Sequence, residues 1–378
     1  MIISRLITSY ILVIIFALFI TKYFPQNILH QQKNAYKFSD SLEFLPIVDA
    51  FGPESLTFDP NGGGPYAGVS DGRIIKWVPH QRRWINFAFI SSNREECEKR
   101  KNHEEKEDEC GRPLGLRFNE KSGELYIADA YMGLMVVGRD GGLARKLVTE
   151  VDGITIGFTN GLDIDQESGL VYFTSSSTLF PRREYMSVIL SNDKTGRLLQ
   201  YNPHTDQTTT LLNNLSFPNG VSLTKNKDTV LIVETTTCQI LRFRLQNPSS
   251  KSETATEVFT QLDGFPDNIK INSKGEFWVG IYSKRGEFLK WVLSVSWVGK
   301  SVVNLPFNGV KLSSIFGRFK AIGMAVKLDE EGKIVKVLEE KSGKLKFVSE
   351  VVEKDGDLWF GSVILPFVTL FKDFDSSL

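Results

Sequence analysis

The stretch Phe217-Pro-Asn-Gly-Val-Ser-Leu-Thr-Lys-Asn-Lys-Asp-Thr-Val-Leu-Ile-Val-Glu234 decides the fold of this chain. Val221 and Leu223 alternate with polar neighbours, as in a half-buried strand, and the polar run at 225–228 forms a turn. The nearly continuous apolar run at 230–233 is then a fully buried strand, and the whole stretch is one β-hairpin.

The hairpin recurs. Its template, one residue followed by Gly, an apolar residue, any residue and an apolar residue, aligns with Glu54-Ser-Leu-Thr-Phe58, Leu114-Gly-Leu-Arg-Phe118, Asn160-Gly-Leu-Asp-Ile164, Asn219-Gly-Val-Ser-Leu223, Asp267-Asn-Ile-Lys-Ile271 and Ile322-Gly-Met-Ala-Val326. Matching second strands follow at Glu124-Leu-Tyr-Ile-Ala-Asp129, Leu170-Val-Tyr-Phe-Thr174, Val230-Leu-Ile-Val-Glu234 and Glu276-Phe-Trp-Val-Gly280. The intervals of 60, 46, 59, 48 and 55 residues suit propeller blades and exceed leucine-rich or ankyrin repeats. The expected fold is an all-β, six-bladed β-propeller.

If the hairpins are the inner strands of successive blades, the six template-leading residues face the central channel at one depth. That ring reads Glu54, Leu114, Asn160, Asn219, Asp267 and Ile322, with Asn268 beside Asp267. Four of the six carry oxygen donors, and none is a thiol or imidazole, a set that suits a hard cation such as Ca²⁺ rather than Zn²⁺ or Cu²⁺. Asn and Asp at strand starts also serve as turn formers that bond their own backbone. Their recurrence at one repeat phase favours the cation.

The chain has 378 residues, 41% of them hydrophobic, enough to bury a large core, and one propeller would use nearly all of it. A formal net charge of zero leaves no electrostatic footprint for nucleic acid. Residues 1–24 carry Arg5, an apolar run from Ile11 to Ile20, and Lys22, the pattern of a secretory signal peptide that is either cleaved or kept as a membrane anchor. A linker at 25–44 would precede a propeller at 45–378, with 45–51 closing the ring. The propeller is then expected in the secretory lumen (endoplasmic reticulum, vacuole or extracellular space), either soluble or tethered by its N-terminal helix.

Cys97 and Cys110 bracket the charged run Glu98-Lys-Arg-Lys-Asn-His-Glu-Glu-Lys-Glu-Asp-Glu109. A disulfide there suits an oxidising compartment and would contribute about 3 kcal/mol in the chain-entropy model. Metal binding by this loop lacks a fourth ligand beside the two cysteines and His103. Cys238 is read as a buried strand cysteine outside any disulfide, and Asn214-Leu-Ser216 is a glycosylation sequon requiring an exposed Asn214. The repeat breaks at 282–320, a helical insertion rich in Trp, Phe and Leu with interleaved Lys and Arg. It is read either as a lid over one mouth of the propeller or as a membrane-surface patch.

Several motifs together resemble a known family: Gly52-Pro-Glu-Ser55, Cys110-Gly-Arg-Pro-Leu-Gly115, Ile127-Ala-Asp-Ala-Tyr-Met-Gly-Leu134, Arg182-Arg-Glu-Tyr-Met186, Asp193-Lys-Thr-Gly-Arg-Leu198, Phe217-Pro-Asn-Gly-Val221 and Glu234-Thr-Thr-Thr-Cys238. They are similar to the strictosidine synthase-like proteins of plants and the related adipocyte plasma membrane-associated protein, over residues 45–371. The resemblance implies a six-bladed propeller of the wider group containing paraoxonases and gluconolactonases. It also implies a calcium site at Glu54, Asn160, Asn219, Asp267 and Asn268, each at a matching position. The synthase's catalytic glutamate precedes a turn matched here by Glu353-Lys-Asp-Gly356, and its position is taken by Ser349, with Glu350 one residue out of register. One residue along a strand reverses the face of a side chain, so amine–aldehyde condensation is disfavoured. The paraoxonase-type histidine pair is also unsupported, because His30, His80, His103 and His204 all fall outside the channel strands.

The expected activity is therefore calcium-dependent hydrolysis of a small-molecule ester or lactone, with Asp267 or Glu54 as the carboxylate that orients or deprotonates water. The alternative is a non-catalytic luminal propeller with a structural ion, and a condensing synthase comes third. Membrane association is open through residues 1–24 or 282–320, and the sequence leaves oligomeric state undetermined.

Overall fold

The computed structural model describes residues 35–37, 42–98, 103–245, 256–286, 293, 303 and 322–374. The targeting segment 1–24 and most of the insertion at 282–320 lie outside the described residues, as does His30. The hairpin at 217–234 forms the inner half of a four-stranded antiparallel sheet: Pro218–Leu223, Thr229–Glu234, Gln239–Arg244 and Thr256–Gln261, in that order. Thr229–Glu234 is buried along its whole length, as its continuous apolar run requires.

Five further sheets repeat this arrangement. Their innermost strands are Leu56–Thr57, Pro113–Phe118, Thr159–Ile164, Gly264–Ile271 and Val348–Lys354. Each innermost strand touches the next, and the sixth touches the first, so the six blades close into a propeller. Apolar side chains fill the gaps between blades. Leu162 and Phe173 of blade three pack on Tyr126 and Val136 of blade two, and Leu231 and Val233 of blade four pack on Phe277 and Val279 of blade five. Each such side chain contributes roughly 1.5–3 kcal/mol on full burial.

Closure uses both ends of the described chain. Leu42–Pro46 pairs antiparallel with Phe367–Phe371 and becomes the outermost strand of blade six, whose inner strands come from the C-terminal part of the sequence. The closing strand thus starts inside the stretch read as a linker. Ala35–Lys37, also within that stretch, pairs parallel with Ile334–Glu340 at the rim of blade five.

One blade assignment from sequence is overturned. Gly323–Leu328 is the third strand of blade five, so Ile322 does not lead an innermost strand, and blade six begins instead at Val348. The insertion lies between the second and third strands of blade five, so the spacing between inner strands is stretched there.

Candidate active site

Five of the six inner strands carry the same irregularity, and it lies at the ring. In blade three, Thr159 pairs with Ser175 and Leu162 with Phe173, so the strand holds one residue more than its partner. The same bulge falls at Pro113–Leu116, Pro218–Val221, Pro266–Ile269 and Val348–Val351. A bulge re-aims the side chains at its position, and here it marks one structurally equivalent pair per blade. The leading members are Leu114, Asn160, Asn219, Asp267 and Ser349, with Glu54 at the same phase in blade one. Ser349 therefore takes the ring place that the sequence assigned to Ile322.

The second members explain the recurring glycine. A Cβ on Gly115, Gly161 or Gly220 would stand 2.5–2.6 Å from backbone atoms of the next inner strand. Blade six places Glu350 at this phase. Its carboxylate reaches across to blade one, accepting from Leu56 N at 2.6 Å and Ser55 Oγ at 3.2 Å, and pairs with Lys270 of blade five at 3.4 Å. Glu350 is fully buried and links three blades. Ser349 Oγ donates to the Glu54 carbonyl at 2.6 Å.

The ring's polar atoms have a distinctive orientation. Asn160 Nδ2 donates to Ser176 Oγ at 3.1 Å and Asn219 Nδ2 to Thr235 Oγ1 at 3.2 Å. Asn160 Oδ1, Asn219 Oδ1 and Asp267 Oδ1 are buried without a hydrogen-bond partner, a costly state for an oxygen. Asn268 leaves Nδ2 unpartnered instead, and rotating its amide would exchange the nitrogen for oxygen at the same place. Burial pushes the Asp267 carboxyl well above the usual range, and repulsion from Glu54 and Glu350 adds to this. Glu54 is likewise raised by burial, against the pull of Arg112 and Arg182.

Charge at the mouth extends beyond the ring. Arg112 Nη2 lies 3.1 Å from Glu54 Oε2, and its guanidinium also donates to the carbonyls of Gly52 and Val363. Glu107 accepts from Arg182 Nη1 at 2.7 Å and from the Tyr131 hydroxyl at 2.9 Å. Five carboxylates, on Glu54, Glu107, Asp129, Asp267 and Glu350, thus share one buried network with three cations, Arg112, Arg182 and Lys270. The donor chemistry and the unpartnered oxygens fit Ca²⁺ held by Asn160, Asn219 and Asp267 with Glu54 and Asn268. Among the described residues no three His, Cys, Asp or Glu side chains group as a metal site, because the ring relies on amides.

An apolar roof covers this end of the channel. Phe158, Phe217, Phe265 and Phe347 each stand two residues before a ring residue, all buried, and Gly52 and Arg112 hold the same phase in blades one and two. Phe217 and Phe347 adopt left-handed backbone, with φ of +55° and +51°, a strained conformation for an aromatic residue. Helix α1 (Tyr185–Ser191) packs Val188 and Ile189 onto Phe158, Phe217 and Phe265, and Leu293 from the insertion joins them. The Tyr185 and Tyr282 hydroxyls meet at 3.3 Å.

Cys97 and Cys110 form the expected disulfide. Cys238 is fully buried and lies in the turn before Gln239–Arg244 rather than in the strand itself. Asn214 is exposed, as its sequon requires. His204 and His80 are exposed, and His103, in the disulfide loop, bonds Ser70 at 2.7 Å. None of these three lies on an innermost strand. Sequence reasoning gave no role to Arg112, Arg182 or Glu107, and it placed Ser349 at the synthase glutamate's position without assigning it to the ring. The recurring phenylalanine two residues before the ring was the available signal for Arg112.

Residues 160–248 match the strictosidine synthase family model, and residues 40–77 match the N-terminal model of strictosidine synthase-like proteins. Strictosidine synthase-like 10 of Arabidopsis thaliana is 50% identical over 332 residues, covering 88% of each chain. The chain belongs to the strictosidine synthase-like family. A second strictosidine synthase-like relative, number 2 of the same plant, is 48% identical over 87% of this chain and 88% of its own. The fold of this strictosidine synthase-like protein is also found in solved structures. A putative gluconolactonase matches with a TM-score of 0.57 at 10% identity, over 90% of this chain and 95% of that one. The calcium-binding protein regucalcin of Agrobacterium tumefaciens matches with a TM-score of 0.55 at 14% identity, over 89% and 95%.

Proposed function

We propose that this strictosidine synthase-like propeller is a calcium-dependent hydrolase of esters or lactones in the secretory lumen. The observation that carries the reading is the set of three unpartnered buried oxygens, Asn160 Oδ1, Asn219 Oδ1 and Asp267 Oδ1, at one phase of consecutive blades. The gluconolactonase and regucalcin folds support it. When bound, the ion would supply Lewis acidity toward an ester or lactone carbonyl.

The two candidate carboxylates take different roles. Glu54 Oε2 is committed to Arg112, so Glu54 serves as a charged anchor of the ring rather than a base. Asp267 is the carboxylate left to orient or deprotonate the attacking water, through the oxygen that does not face the ion. Phe158, Phe217, Phe265 and the Tyr185–Tyr282 pair exclude bulk solvent and offer an apolar surface to the acyl portion. Glu350 has no part in the chemistry, being fastened to blade one and Lys270.

The test is metal content of the purified protein together with turnover on a panel of aryl esters and lactones, before and after chelation. Bound calcium with turnover that is lost on chelation, and equally lost in Asp267→Ala, is expected. Turnover that survives chelation or that substitution would overturn the hydrolase mechanism. Bound calcium with no turnover across the panel would leave a binding propeller with a structural ion.

A further inference from the structure

The proposed reaction leaves the Arg182 guanidinium without a role, although it sits between two acids at the channel mouth. Arg182 begins the short 3-10 turn Arg182–Glu184 that precedes α1. Its Nη1 is hydrogen-bonded to Glu107 Oε1 at 2.7 Å, while Nη2 stands 3.7 Å from Glu54 Oε2, beyond hydrogen-bond length. Arg112 differs: it is 1% exposed and tied to the Gly52 and Val363 carbonyls, whereas Arg182 is 14% exposed and has no main-chain anchor for its guanidinium among the hydrogen bonds described. Glu107 belongs to the short helical turn Glu107–Cys110, so it is carried by the loop that the Cys97–Cys110 disulfide closes. Tyr131 fixes its second oxygen.

We infer that Glu107 is a clamp holding Arg182 off Glu54, and that this clamp sets the affinity of the ring for a divalent cation. The inference rests on the cation reading of the ring. A guanidinium that closed the remaining gap to Glu54 would place positive charge on the carboxylate the ion uses, in a buried setting where screening is weak. Held by Glu107, it stays at ion-pair rather than hydrogen-bond distance from Glu54, whose close partner is Arg112. Arg182 and Glu107 are thus positioning residues that act through Glu54. The same linkage couples cation affinity to the disulfide. With dithiothreitol, two electrons and two protons pass from the dithiol to the cystine, giving two protein thiols and a cyclic disulfide of the reagent, and the loop that carries Glu107 is unfastened.

The experiment is calorimetric titration of the chelator-stripped full chain with calcium chloride, with melting in chelator as the measure of folding. Arg182→Gln should tighten the dissociation constant at least about tenfold, as expected for a removed like charge. Glu107→Gln should weaken it by a similar factor, and dithiothreitol should weaken it in the wild type. The decisive result is non-additivity: in the Arg182→Gln background neither Glu107→Gln nor reduction should weaken binding further. Equal effects of Glu107→Gln with and without Arg182 would mean plain loss of a negative charge and would overturn the clamp. If Arg182→Gln does not fold, Glu107→Gln and Arg182→Lys carry the test. Unchanged or tighter binding in Glu107→Gln, or weakened binding in Arg182→Lys equal to that in Glu107→Gln, would overturn it. A wild type that binds no calcium would overturn the cation reading itself.

Discussion

Ser349 and Glu350 show what one residue of register decides. Both are fully buried on the same inner strand, yet Ser349 takes the ring phase, and Glu350 takes the phase occupied by glycine in three other blades. Glu350→Ala removes the acceptor for Leu56 N and leaves Lys270 without its carboxylate, so a loss of about 3–5 kcal/mol is expected, measured by denaturant unfolding. Calcium binding should persist in the folded fraction, since the ring oxygens are untouched. Asp267→Asn should act in the opposite direction on the metal-free protein. It removes a buried charge repelled by Glu54 and Glu350, so melting in chelator should rise, while the stabilisation conferred by calcium should disappear. A pH signature belongs to Asp129, whose carboxyl is pushed up to about 6, chiefly by burial, although the Tyr131 and Met132 amides donate to it and oppose the shift. Its folded value exceeds its unfolded one, so its stabilising contribution is complete below roughly pH 4 and is lost as pH rises through 6. Asp129→Asn should flatten that slope, matching the wild type near pH 4 and exceeding it near pH 7.5 by up to about 3 kcal/mol, read from unfolding curves at the two pH values. Ring residues were legible because each repeats at a fixed phase of the chain. Arg182 and Glu107 were not, because an ion pair between residues 75 positions apart leaves no periodic trace.

At the scale of the element, the inner strand was read correctly in five blades because the recurring small residue has a mechanical cause. Neighbouring inner strands approach so closely at the bulge that Gly220 faces the Asn268 Cα, where a Cβ would stand at 2.6 Å. Backbone atoms cannot yield as a flexible side chain does. Gly220→Ala should therefore cost about 1–3 kcal/mol and weaken calcium binding by displacing Asn219 and Asp267. Gly157, two residues before Thr159, has no atom within 4 Å of a Cβ built on it, so Gly157→Ala is the control and should leave melting and binding unchanged. The sixth inner strand escaped the same template for two physical reasons. Its small residue is replaced by Glu350, which fits only because it extends into hydrogen bonds with blade one. In addition, the insertion in blade five displaces it along the chain while another apolar strand, Gly323–Leu328, falls near the expected interval.

For the whole molecule, stability depends on whether the ring is closed. The chain joins blade six to blade one through residues 47–55, so the closing contact is the non-covalent pairing within blade six, which takes strands from both parts of the sequence. Leu42–Pro46 provides that link through pairing with Phe367–Phe371, and Leu45 is buried with Leu56, Ile75 and Val368. Removing residues 42–46 would expose the edge of Phe367–Phe371 and uncover apolar surface facing blade one, at a point where each inner strand relies on its neighbours for burial. The effect should extend beyond blade six, because Glu350 and Ser349 hold Ser55 and Glu54 from the adjoining strand. A chain starting at residue 42 should melt cooperatively and bind calcium. A chain starting at residue 48 should lose cooperative melting, and with it the calcium site, since Glu54 would no longer be fixed against blade six. Calorimetric melting of the two truncations distinguishes closure from simple trimming of an edge: a modest, still cooperative loss in the shorter chain would mean that the ring holds together without its closing strand.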